Sequence, residues 1–95
     1  MATIQEATAA AIQFAVSTLG KDRTQGLRLE EVESGLVDGE EVWLVTLSMT
    51  EVATAFEQYA AEAFPGARTR EYKVFSVRKK DGEVLSMKIR QIAAA

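Results

Sequence analysis

Five carboxylates gather in the first half of the chain: Glu30, Glu31 and Glu33, then Glu40 and Glu41. Paired carboxylates carry out glycoside hydrolysis, where an acid with a raised pKa in an apolar pocket protonates the leaving group and its partner stays ionised. These glutamates instead flank a turn, and acidic side chains on an edge strand mostly stay solvated and block edge-to-edge pairing. The chain has no histidine and no cysteine. It therefore lacks the commonest general base, the commonest transition-metal ligand and every thiol nucleophile. Ser34, Ser48, Ser76 and Ser86 have no histidine to activate them. No loop has the oxygen spacing of a calcium site or the glycines of a phosphate cradle, so no metal and no cofactor is expected.

The cations are distributed unevenly. Residues 68–95 hold eight basic and three acidic side chains, a balance of +5, and the rest of the chain carries −8, which together make the net −3. Tyr72, Arg78, Lys88 and Arg90 are the candidate partner-binding residues of this basic segment. They suit an acidic protein surface, and Tyr72 beside Arg78 and Arg90 could stack on a nucleobase. The segment Tyr-Lys-Val-Phe-Ser-Val lacks the glycines of an RNA-recognition signature, which disfavours nucleic acid. Cross-strand pairing of basic with acidic strands is the plainer reading.

The elements that must position these side chains are readable from periodicity. Thr3 followed by Glu6 forms a capping box, Gly20 sits at a helix C-cap, and Ile4, Ala7, Ala11, Ile12, Ala15, Val16 and Leu19 share one helical face. Phe14 falls at the edge of that face. Leu27 to Ser34 reads as a strand whose alternation breaks, so it either carries a bulge near Glu30–Glu31 or is an edge strand. Asp38-Gly39 is a turn, after which Trp43, Val45, Leu47 and Met49 point one way with Thr46 and Ser48 opposite. Residues 51–66 read as a helix ended by Pro65-Gly66, or as a loop excursion between strands. A three-residue Lys80-Asp81-Gly82 loop in the last hairpin gathers Phe75, Val77, Leu85, Met87 and Ile89 on one face. Ser76, Arg78, Ser86, Lys88 and Arg90 are left on the other.

These readings give a single α+β domain over residues 1–95, with an N-terminal helix on a four-stranded antiparallel sheet of two hairpins and an optional second helix between them. The expected core is Ile12, Val16, Leu19, Leu29, Trp43, Val45, Leu47, Phe75, Val77, Leu85, Met87 and Ile89. At 95 residues such a core is small and its stability modest.

The alanine-rich helix, the Asp-Gly turn, the aromatic strand ending in Val77 and the run Gly82-Glu83-Val84-Leu85 resemble a PepSY-type domain. A cystatin-like arrangement of one helix wrapped by a sheet is its neighbour. The resemblance implies a helix-plus-sheet module linked to peptidase inhibition, although Arg78 stands where that family usually has aspartate. Ala7 to Gly20 carries no charge but is too short and polar to cross a bilayer. With no basic segment before it, a cytoplasmic protein without membrane contact is expected.

A non-enzymatic binding or regulatory module with a protein partner fits best. The alternatives are a small enzyme or ligand-binding protein using carboxylates in a cystatin-like cone, or nucleic-acid binding through the basic hairpin. A homodimer is also expected, meeting through helix faces or the second-hairpin edge and not through the glutamate-rich strand.

Overall fold

A computed structural model describes residues 1–50 and 70–90. One helix, α1 (Ile4–Leu19), packs on a four-stranded antiparallel sheet of β1 (Gln25–Val37), β2 (Glu40–Thr50), β3 (Glu71–Arg78) and β4 (Val84–Ile89), in the order β1-β2-β3-β4. This is the expected α+β arrangement. The helix or excursion read over residues 51–66 lies outside the described residues. Among the described residues no helix is long and apolar enough to cross a membrane.

The helix begins where its side chains satisfy its own first amides. Glu6 N–H donates to Thr3 Oγ1 at 3.1 Å and Thr3 N–H donates to Glu6 Oε1 at 2.9 Å. Hydrogen bonds from the Thr3 backbone and side chain hold the Glu6 carboxyl below the usual range. Gly20, at φ 87°, ends the helix with its N–H donating to Val16 O. Thr3→Ala is expected to cost about 1 kcal/mol, read from urea denaturation. An unchanged midpoint would show that the cap contributes nothing.

The face that α1 buries is an alanine stripe. Ala7, Ala11 and Ala15 are fully buried, while Ile12 and Leu19 flank them and Val16 is exposed. This corrects the expected core at Val16, which is exposed, and moves Ile12 and Leu19 to the core's margin. At 100° per residue Val16 lies about 140° round from Ala11, beyond the reach of the sheet. Small side chains let the helix backbone sit close on the strands, and Phe14 fills the flank with its ring 6.2 Å edge-on from Phe75.

Beneath the helix lie Val45, Leu47, Met49, Phe75 and Val77, all fully buried. Trp43 pairs with Val77 and Val45 with Phe75, so both aromatics share the helix face. The broken alternation of β1 is resolved by a bulge. Leu29 faces Leu47 and Glu31 faces Thr46, leaving Glu30 unpaired and returning Val32 to the core side opposite Val45. A second irregularity sets Gly26 and Leu27 against Met49 alone. The turn joining β1 to β2 has positive φ at both Asp38 and Gly39, the mirror-image geometry that two-residue hairpins require.

The last hairpin departs from expectation in one detail. Phe75 faces Met87 and Ser76 faces Ser86, as a three-residue loop requires, and Gly82 is left-handed at φ 75°. Val77, however, faces Val84 rather than Leu85. Arg78 N–H donates to Glu83 O, so the loop holds four residues, 79–82, and Leu85 is the extra residue of a bulge. Val84 therefore takes the core contact, and Leu85 is only half-buried. Leu29 and Ile89, also expected in the core, are exposed because each stands on an outer strand at the limit of helix cover. Trp43 and Met87 are half-buried at the core's margin.

Candidate functional site

The four candidate residues share one face of the sheet, the one turned away from α1. Tyr72 faces Ser48 and Arg78 faces Val42 across β2, Lys88 faces Val74, and Arg90 N–H donates to Tyr72 O at 2.9 Å. Tyr72, Lys88 and Arg90 cluster at one end. Arg78 is six residues along β3, about 20 Å away.

This face is not a solvated band of charge. Thr46, Ser48 and Ser76 are buried, as is Val42. Arg90 crosses β3 to donate to Thr46 Oγ1 at 2.7 Å and to Glu31 Oε2 at 3.2 Å. Arg70, which sequence reasoning missed, donates through Nε to Ser48 Oγ at 2.9 Å and through Nη2 to the carbonyls of Gly26 and Ser48. Ser48 Oγ in turn donates to Glu30 Oε2 at 2.8 Å, which also accepts from Arg28. The chain Arg70–Ser48–Glu30–Arg28 ties the start of β3 to the bulge in β1. No local signal in the sequence joins residues so far apart.

Arg78 is surrounded by acid. Its guanidinium lies 2.7 Å from Glu40, 3.0 Å from Asp81 and 3.3 Å from Glu83. Its Nε is buried and faces Glu40 closely without a well-aligned hydrogen bond. The Asp81 carboxyl is held below the usual range, first by the Glu83 amide and then by Arg78. Arg78 and Arg90 are therefore neutralised, Arg78 by Glu40 of β2 and by its own loop and Arg90 by Glu31 of β1. Lys88 differs: it is exposed, and among the described residues it makes no ion pair.

Glu30 is tuned in the direction opposite to a catalytic acid. Hydrogen bonds from Arg28 and then Ser48 push the Glu30 carboxyl down, away from the raised pKa that a proton donor needs. Among the described residues no group of three acidic side chains is placed to hold a metal ion. A depression of about 450 Å³ between the two hairpin ends is lined by Met1, Glu40, Glu41, Arg78, Lys79 and Lys80. Both of its carboxylates are exposed. Beside it Lys79 Nζ sits 4.2 Å from the Trp43 ring centroid, and the Trp43 indole N–H donates to Ala2 O at 3.1 Å. Ala2 N–H donates to Lys79 O, so this cluster fastens the N-terminus to the second hairpin. Trp43 is thus a clamp at the core's rim.

No family model, curated protein or solved structure matches the chain. Its site must be read from its own geometry.

That geometry differs most between the two outer strands. Directly opposed residues of an antiparallel ladder alternate between hydrogen-bonded and non-bonded pairs. Because Arg90 bonds to Tyr72, Lys88 and Ser86 also bond inward to β3, and the main-chain groups of Met87 and Ile89 face outward. Among the described residues nothing pairs with them. Ile89 is 73 % exposed beside the exposed Lys88. β4 is interrupted once, at Leu85, and runs on regularly through Met87 and Ile89, whereas β1 is interrupted at both Gly26 and Glu30 and carries Glu30, Glu31 and Glu33. Bulges and charge are the usual devices that protect a sheet edge.

Proposed function

We propose that this protein is a non-enzymatic binding module that takes an extended peptide segment as an added strand on β4. The reading rests on the outward main-chain groups of Met87 and Ile89 together with the exposed Lys88 and Ile89 side chains. Main-chain hydrogen bonds would supply affinity in this mode, and alternate side chains of the segment would supply selectivity. Ile89 offers apolar contact on the helix side and Lys88 attracts a carboxylate on the other. The PepSY-like resemblance points toward a binding role as well. Nucleic acid is a poorer candidate, because Arg78 and Arg90 already face carboxylates.

Selection of random twelve-residue peptides against the protein tests this reading. Enriched peptides are expected to alternate apolar with polar residues and to shift the amide resonances of Met87 and Ile89. Ile89→Pro deletes one outward N–H and leaves the bonds to β3 in place. It should weaken those peptides about tenfold or more. Equal binding to the proline variant, or no enrichment, overturns the proposal.

A further inference from the structure

Building on the strand-addition reading, we infer that the segment β4 accepts is acidic and runs antiparallel to it, with a carboxylate opposite Lys88 between two apolar residues opposite Met87 and Ile89. Direction and register follow from the ladder. The outward main-chain groups belong to Met87 and Ile89. An antiparallel partner therefore makes hydrogen-bonded pairs with those two residues and a non-bonded pair with Lys88 between them. Opposed side chains stand closest at non-bonded pairs, so the residue facing Lys88 lies directly beside its side chain. A parallel partner forms slanted bonds that are slightly less stable per residue. Leu85, the extra residue of the bulge, ends the regular edge on one side. Selectivity is thus concentrated at the positions opposite Met87, Lys88 and Ile89.

Charge selects the middle position. Lys88 is exposed and, among the described residues, makes no ion pair. No acidic side chain occurs from Val84 to Arg90. Carboxylates of the neighbouring elements are already bound: Glu83 to Arg78, Glu31 to Arg90, and Glu71 to Lys73 and Arg23. Arg90 shares the face of Lys88 but is held by Glu31 and Thr46, so the cation that reads the segment is Lys88. A lysine in the middle position would set like charges in direct opposition, which destabilises the pair. The two flanking positions lie on the helix side of the sheet. Ile89 is 73 % exposed there and Met87 half-buried, so apolar residues opposite them continue the core face past its last strand.

Blocked peptides with the core Val-Glu-Val, Val-Gln-Val or Val-Lys-Val, flanked by threonines, test this by titration into the isotope-labelled protein. The glutamate peptide should bind about threefold more tightly than the glutamine peptide and about tenfold more tightly than the lysine peptide. Its amide shifts should centre on Met87 and Ile89. Raising the salt from about 20 to about 500 mM should remove most of the preference, because an exposed pair is screened. Lys88→Glu, a change at an exposed side chain, should invert the order with an unchanged circular dichroism spectrum. A nitroxide on the peptide N-terminus should broaden the Arg90 amide more than that of Val84. Equal binding of the three peptides at Met87 and Ile89, or an order that Lys88→Glu leaves unchanged, overturns the acidic segment and leaves strand addition standing. Stronger broadening at Val84 overturns the antiparallel direction. If the protein alone sediments at twice 10.4 kDa and its Met87 and Ile89 amides shift on dilution, a second copy occupies the edge and the inference falls. If no peptide shifts β4, those selected at random included, strand addition fails and this inference fails with it.

Discussion

Phe75→Ala is expected to remove about 3–5 kcal/mol of stability. The side chain is fully buried on β3, one of the two inner strands, flanked in the ladder by Val45 and Met87. Phe14 meets its ring edge-on at a centroid distance of 6.2 Å. Such aromatic contacts contribute about 0.5–1.5 kcal/mol beyond the area they bury. The alanines of α1 make collapse around the vacancy difficult, since Ala7, Ala11 and Ala15 have no longer side chains to swing into it. A domain of this size has about 5–15 kcal/mol in total, so the variant should lose a large share of its stability and unfold at a clearly lower urea concentration. Phe14→Ala, at the half-buried end of the pair, should cost less than half as much. Urea titration of the three proteins gives the comparison. A Phe75→Ala loss below about 1.5 kcal/mol would mean that the helix and sheet do not pack as described.

Local chemistry made much of the fold legible and long-range register hid the rest. Thr3, Glu6 and Gly20 mark the helix because capping is decided within one turn of chain. Asp38-Gly39 and Gly82 mark their turns because few residues accept positive φ. The bulge at Glu30 was one of two readings of a phase break, and β1 is in fact both bulged and at the edge. The alanine stripe was visible as a face, but its large neighbours drew the core assignment away from it. Apolar size is not depth: Val16 and Ile89 are exposed by position, on the far side of the helix and at the sheet's rim. The loop of four residues differs from a loop of three only through an unpaired Leu85, which no local pattern reveals. The candidate face was found through Tyr72, Arg78, Lys88 and Arg90 sharing alternation, whereas the carboxylate partners of Arg78 and Arg90 come from β1, β2 and the hairpin loop. Arg70 was missed because its contacts at Gly26 and Ser48 join three distant stretches of chain, one of them at the irregularity between Gln25 and Arg28.

Glu71→Gln should cost about 1–3 kcal/mol, and Lys73→Met should be neutral or stabilising. Strict alternation puts Lys73 on the helix side with Phe75 and Val77, and there it is buried between Leu47 and Ile89 in the ladder. Its ammonium lies 2.8 Å from Glu71 Oε1, which Arg23 also approaches at 3.1 Å. Removing one partner of a buried pair leaves a charge with reduced compensation, which costs about 3–5 kcal/mol when both are fully enclosed. The Glu71 side chain is 22 % exposed, so water recovers part of that penalty and the smaller range applies. Replacing Lys73 by methionine keeps the stem's packing under the helix and removes the desolvated charge, while Glu71 retains Arg23. In the double variant most of the loss from Glu71→Gln should disappear, because there is no longer an ammonium to leave stranded. A double-mutant cycle by urea denaturation measures this coupling directly. Independent, additive losses at the two positions would show that the pair is not a buried unit, and that Lys73 is held in the core by its methylene stem alone.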